Sequence, residues 1–139
     1  MRKTGKIYAL SLDNRPKDPY PFFQDREGLK SKNDAIVFSK QDQLLYVFLI
    51  ELKSGNPADG IPQLKSAAHF VDYILAVIRL RYPGVNVNVE KRGIVFHTRQ
   101  NVQKRADRSS KASYMTNDVV PITFAGCNQE YTLEYFVDK

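Results

Sequence analysis

The chain contains no tryptophan, one cysteine, two histidines and two methionines. A single cysteine builds neither a disulfide framework nor a thiolate zinc site, which fits a reducing, cytoplasmic setting. His69 and His97 are not paired at metal-ligand spacing, and each reads as structural. Cys127, beside Gly126 in an expected turn, reads as an inert thiol. No stretch approaches the eighteen or so consecutive apolar residues of a membrane helix, so no membrane partner is expected. The basic start "MRKTGKIYALSLDNRP" has too short an apolar segment for a secretion signal. Glycine-rich phosphate loops of the forms GxGxxG and GxxxxGK[ST] are missing, which argues against dinucleotide and P-loop enzymes. The GxSxG elbow of serine hydrolases is missing as well.

What is present describes an ordinary globular chain. Its 139 residues, 42% hydrophobic and 26% charged, suit one domain spanning residues 1–139. That length can bury a core without metal or disulfide staples. The net charge is +6 and the pI about 9.4. The excess is concentrated in "RQNVQKRADRSSK", where Arg99, Lys104, Arg105, Arg108 and Lys111 accompany one acid. A second cluster, "REGLKSK", carries Lys30 and Lys32 just ahead of Asp34. Such segments are either solvated loops or a rim whose cations neutralise nucleic-acid phosphates.

The hydrophobic pattern orders the elements. "KIYALSL" (6–12) reads as a short strand, and the three prolines of "DNRPKDPYPFF" make a loop. "DAIVF" and "QLLYVFLIEL" read as two strands joined through the polar "SKQDQ". The second is apolar on both faces, as a covered central strand should be. Asp59 or Gly60 can cap a helix with Pro62 in its first turn. The helix is expected from Gln63 to Arg81, with Leu64, Ala67, Ala68, Val71, Ile74, Leu75 and Ile78 on one face. "YPG" at 82–84 ends it. "VNVNV" and "GIVFHT" read as two further strands, and "VVPITFAG" with "EYTLEYFV" as a closing hairpin. The sum is an α/β (α+β) fold: one long helix packed on a mixed central sheet.

The chemistry concentrates in "ELK", residues 51–53. An acid-x-Lys triplet arises about once by chance in a chain of this composition, so its context must carry the argument. In a strand, residues i and i+2 share a face, so Glu51 and Lys53 project together and Leu52 faces away as an anchor. They end the most apolar strand, where open α/β sheets place ligands. With Lys40 to Gln43 as the turn, Phe38 opposes roughly Leu45, and Asp34 falls opposite Leu49 to Glu51. Two carboxylates and a lysine so placed suit a hard cation bound with a phosphate. An ordinary ion pair at a sheet edge would have the same composition.

Residues 33 to about 75, "NDAIVFSKQDQLLYVFLIELKSGNPADGIPQLKSAAHFVDYI", resemble the PD-(D/E)xK nuclease superfamily, the restriction-endonuclease-like fold. The resemblance implies Mg²⁺- or Mn²⁺-dependent hydrolysis of phosphodiester bonds in DNA. Asp34 matches the first motif residue, Glu51 the second acid and Lys53 the lysine. Gln63 matches a glutamine found at the start of the following helix, which helps position the lysine or a phosphate. Asp34, Glu51 and the backbone carbonyl of Leu52 would ligate the metal. Members often carry an additional glutamate on an upstream helix. Prolines 16, 19 and 21 exclude such a helix here and leave Glu27 as the nearest accessory ligand. Nucleic acid is the implied partner, and a homodimer is the form in which small relatives cut two strands. A catalytically inactive binding or regulatory protein of the same fold, in a bacterial or phage defence complex, is the alternative.

Overall fold

The structure of the chain, a computed structural model, describes residues 5–12, 18, 20–98 and 111–137. Five strands form one sheet in the spatial order β1-β2-β3-β4-β5. They are β1 (Lys6–Leu10), β2 (Ala35–Gln41), β3 (Leu44–Lys53), β4 (Asn88–His97) and β5 (Ile122–Gly126). The first three pair antiparallel, whereas β3–β4 and β4–β5 are parallel. The long helix α1 (Ile61–Arg81) is the crossover between β3 and β4, as a parallel pair requires. The result is a mixed sheet with one helix packed on it, the α+β architecture expected. No helix among the described residues is long and apolar enough to cross a membrane.

Two cores explain why β3 is apolar on both faces. On the helix side, Val47 and Leu49 meet Leu64, Ala67, Ala68 and Val71 of α1 and Val95 of β4. On the other side, Phe48 and Tyr46 pack with Ile94, Ala125 and Phe136. The helix begins at Ile61, two residues earlier than the pattern suggests, with Gly60 as its N-cap and Pro62 in the first turn. A 3-10 turn over Pro57–Gly60 leads into it, capped by Asn56, whose side chain accepts from the Ala58 amide. Burial of the expected apolar stripe fades along the helix, from Val71, fully buried, to Ile78, 39% exposed.

The hairpin is tighter than its polar sequence suggests. Strand β2 runs to Gln41, and the turn is only Asp42–Gln43, with Asp42 at φ 54°. Asp tolerates this left-handed region better than most residues. Phe38 consequently opposes Val47 rather than Leu45.

Two other expectations are corrected. "VNVNV" and "GIVFHT" are not separate strands, because β4 is continuous through Glu90, Lys91 and Arg92. Its start at Asn88 is set by pairing with Leu44, the first residue of β3, so Val85 and Val87 find no strand beside them. The charged residues are tolerated inside the strand because each has a partner. Lys91 reaches Asp72 at 2.6 Å, and Arg92 reaches Glu90 at 2.9 Å. "EYTLEYFV" is not the second arm of a hairpin either. Strand β5 pairs parallel with β4, and a 3-10 turn over Leu133–Phe136 lays Tyr131, Tyr135 and Phe136 over Phe96 and the second core. Aromatic burial against the sheet face outweighs the alternating pattern of that segment.

Candidate active site

The mouth of the sheet lies at the C-terminal ends of β3 and β4, under the first turn of α1. Alternation along β3 continues past Leu49, so Glu51 falls on the helix side and is 5% exposed. Leu52 points to the opposite face as expected. However, it is 58% exposed there and anchors nothing. Lys53 returns to the helix side, and its Nζ lies 2.8 Å from Glu51 Oε1.

Asp34 arrives from the neighbouring strand. Ala35 pairs with Ile50, which places Asp34 beside Glu51, and the Asp34 amide donates to the Ile50 carbonyl at 3.1 Å. Its side chain then takes over where the ladder stops, with Oδ2 accepting from the Leu52 amide at 2.7 Å. In a strand the amide and carbonyl of one residue point the same way, so the Leu52 carbonyl is directed to the same edge as Asp34.

Asn33 fixes this arrangement and was not singled out by the sequence pattern. It is fully buried, and its Nδ2 donates to the carbonyls of Ala35 at 2.5 Å and Ile50 at 3.2 Å. One side chain thus clamps the start of β2 to β3 immediately before Asp34. A buried asparagine preceding the strand is the signal: its Nδ2 is satisfied by two carbonyls, while its Oδ1 is buried without a partner.

Above the strands, Gly60 and Gln63 close the mouth. A Cβ built on Gly60 would lie 3.0 Å from Glu51 Cγ and 3.2 Å from Val95 Cγ2, so only glycine lets the helix entry sit this low on the carboxylate. Gln63 stands at the first turn of α1. With its amide oxygen turned toward Lys53, the orientation that satisfies both amide atoms, it accepts from Lys53 Nζ at 3.1 Å. Its amide nitrogen then donates to the Asp59 carbonyl at 2.6 Å. Lys53 is therefore held between Glu51 and Gln63.

Burial pushes the Glu51 carboxyl above the usual glutamate range, and the nearby Asp34 charge adds to that shift. The Lys53 hydrogen bond opposes it. Its second oxygen, Oε2, is shut off from water and has no hydrogen-bond partner. An unpaired buried carboxylate oxygen next to a second carboxylate is the donor set that a hard divalent cation completes. Asp34, Glu51 and the Leu52 carbonyl fit such an ion. Among the described residues no group of three or more His, Cys, Asp or Glu side chains gathers as a metal cluster, so Glu27 does not join Asp34 and Glu51. Glu27 lies exposed in the turn segment before β2, and no helix occupies described residues 20–33.

The other basic residues are placed as follows. Lys30 is ion-paired to Asp18 at 2.6 Å and to Asp25 at 2.7 Å. Lys32 is half-buried close to Asp34 in the chain and adds to the field at Asp18. Lys111 donates to the carbonyls of Glu134, at 2.9 Å, and Val137, at 2.5 Å, which ties down the segment covering the second core. Arg99, Lys104, Arg105 and Arg108 lie outside the described residues.

Compared with family models, curated proteins and solved structures, the chain finds no match. Asp34, Glu51, Lys53 and Gln63 meet at one end of the sheet through hydrogen bonds and an ion pair.

Proposed function

We propose that the chain is a metal-dependent endonuclease that hydrolyses phosphodiester bonds in DNA, in the cytoplasm. The observation that carries this reading is the run of contacts from Gln63 through Lys53 to Glu51, with Asp34 fixed on the Leu52 amide beside it. Ion pairs alone are common at sheet edges. Here a buried acid with an unpaired oxygen, a second carboxylate and a lysine held from two sides come together.

In this reading Asp34, Glu51 and the Leu52 carbonyl hold Mg²⁺ or Mn²⁺. The bound ion supplies charge stabilisation at the phosphoryl oxygens and lowers the pKa of a water. Lys53 orients that water or takes its proton, within reach of the scissile phosphate. Gln63 keeps the lysine at the mouth by accepting from Nζ, and Asn33 keeps Asp34 in register by clamping the strand ahead of it.

The test is cleavage of single-stranded, duplex and branched DNA and of RNA, with and without Mg²⁺ or Mn²⁺. Metal-dependent cleavage of DNA should fall at least a hundredfold in Glu51→Ala and Lys53→Ala, with circular dichroism showing retained folding. A well-folded Lys53→Ala protein that cuts as fast as wild type refutes the mechanism.

A second reading is favoured by the pairing of Glu51 with Lys53 and by the lack of a third acidic ligand among the described residues. It makes the chain an inactive nucleic-acid-binding or regulatory member of the same fold, acting as a homodimer or in a larger defence assembly. Calorimetry separates the two. Salt-sensitive affinity for nucleic acid, without cleavage and without Mn²⁺ binding at millimolar ion, selects the second.

A further inference from the structure

Among the described residues, the mouth has an ionisable side chain that the motif does not account for. His97 ends β4 and is the register partner of Lys53 across the parallel pair. Neighbouring strands lie about 5 Å apart, so the two side chains leave the sheet side by side if they share a face. They do. On β4, Lys91 reaches Asp72 of α1, Gly93 lies against Leu64 of α1, and Val95 lies against Gly60. The two-residue repeat puts His97 next on this helix side, as it puts Lys53 after Glu51.

The backbone at His97 is held from both sides. Thr98 donates its amide to the Lys53 carbonyl at 3.4 Å and its hydroxyl to the Ser54 carbonyl at 3.2 Å. Across the other edge, the Cys127 amide donates to the His97 carbonyl at 3.0 Å. The imidazole itself supports none of this. Its Nδ1 is closed to water and has no hydrogen-bond partner. A buried imidazole nitrogen without a partner is destabilising, and such a group calls for an explanation. The ring is half-buried, so Nε2 is the nitrogen through which it can serve the mouth.

We infer that His97 is a substrate contact: its Nε2–H donates to a non-bridging oxygen of the phosphodiester held at Lys53, on the β4 side. Lys53 and His97 then grip the phosphate from adjacent strand ends, opposite the carboxylate pair on β2 and β3. An imidazole N–H suits this position because it is a directed donor beside the Lys53 ammonium. The role is binding rather than proton transfer. The inference rests on the nuclease reading of the same mouth.

The test measures KM and kcat for the DNA cleaved by wild type, and the affinity of the same DNA for a Glu51→Ala background, with His97 changed to Ala, Gln and Asn. Glutamine places its amide nitrogen near the position of Nε2, and asparagine near that of Nδ1. His97→Ala should raise KM and weaken binding about tenfold or more, as expected for one hydrogen bond to a charged group, with kcat changed far less. His97→Gln should recover most of the loss and His97→Asn little, and all three should melt close to wild type. Active wild type with unchanged KM and affinity in His97→Ala overturns the His97 contact and leaves the nuclease reading standing. Rescue by Asn rather than Gln also overturns it. A wild type that neither binds nor cuts any nucleic acid overturns both.

Discussion

Replacing Lys53 by methionine tests the electrostatics of the mouth without reference to any ligand. Methionine keeps the length and most of the apolar stem of lysine while removing the ammonium 2.8 Å from Glu51 Oε1. Glu51 would then have a burial penalty and the Asp34 charge acting on it, opposed only by the hydrogen bond from the Asp34 backbone. An exposed ion pair contributes at most about 1 kcal/mol, and breaking a fully buried one on one side costs about 3–5 kcal/mol. Here the acid side chain is 6% exposed and the lysine 22%, which places the loss between these limits, near 2 kcal/mol at neutral pH. For a chain of this size that is a fall in Tm of roughly 5–10 °C.

The pH dependence gives the prediction its sign. A carboxyl whose folded pKa is raised binds its proton more readily in the folded state than in the unfolded one. Stability therefore increases as pH falls through the folded pKa, and the penalty disappears below the ordinary glutamate range. Lys53→Met should be most destabilised at pH 8 and approach wild type toward pH 5. Adding Glu51→Gln to Lys53→Met should recover at least half of the loss at pH 8, because no buried charge is left without a partner. Urea unfolding followed by circular dichroism measures all three quantities. An equal loss at pH 8 and pH 5, or a double variant as unstable as the sum of its parts, would show that removing Lys53 leaves no uncompensated charge on Glu51.

Asn33→Ala should cost about 1–3 kcal/mol, because the carbonyls of Ala35 and Ile50 lose a buried donor. On the nuclease proposal, cleavage should fall even in protein that remains folded, since Asp34 loses the clamp ahead of it; wild-type activity with wild-type stability contradicts that role. Gly60→Ala places a methyl group 3.0 Å from Glu51 Cγ and about as close to Val95, so overpacking should destabilise by roughly 1–2 kcal/mol. A Gly60→Ala protein as stable as wild type in urea would show that the helix entry is not packed on the carboxylate.

Much of this architecture follows from local pattern. The apolar run from Leu44 to Ile50 specifies a strand covered on both faces. A period of two then puts Glu51 and Lys53 together on one side whatever the rest of the chain does. Gly60, Pro62 and the spacing from Leu64 to Val71 specify where α1 starts and which face it buries. These are short-range properties of the backbone and of side-chain periodicity, so they can be read along the sequence.

Other features depend on residues far apart in the chain. Pairing with β3 makes β4 a single strand through Glu90–Lys91–Arg92, where Lys91 finds Asp72 on α1 and Arg92 pairs with Glu90 two residues back. Ring packing against Phe96 turns residues 133–136 into a 3-10 turn where alternation suggests a strand. The two-residue turn at Asp42 sets the register that brings Asp34 to Glu51, and Asn33 secures it. His97 has no local signal at all: only the parallel register of β4 with β3 sets it beside Lys53. The strand, the helix and the shared face of Glu51 and Lys53 need only neighbours in the chain, so local pattern is enough to specify them. The tertiary structure decided which strand ends meet at the mouth, because that depends on long-range pairing and on how closely α1 can approach the sheet over Gly60.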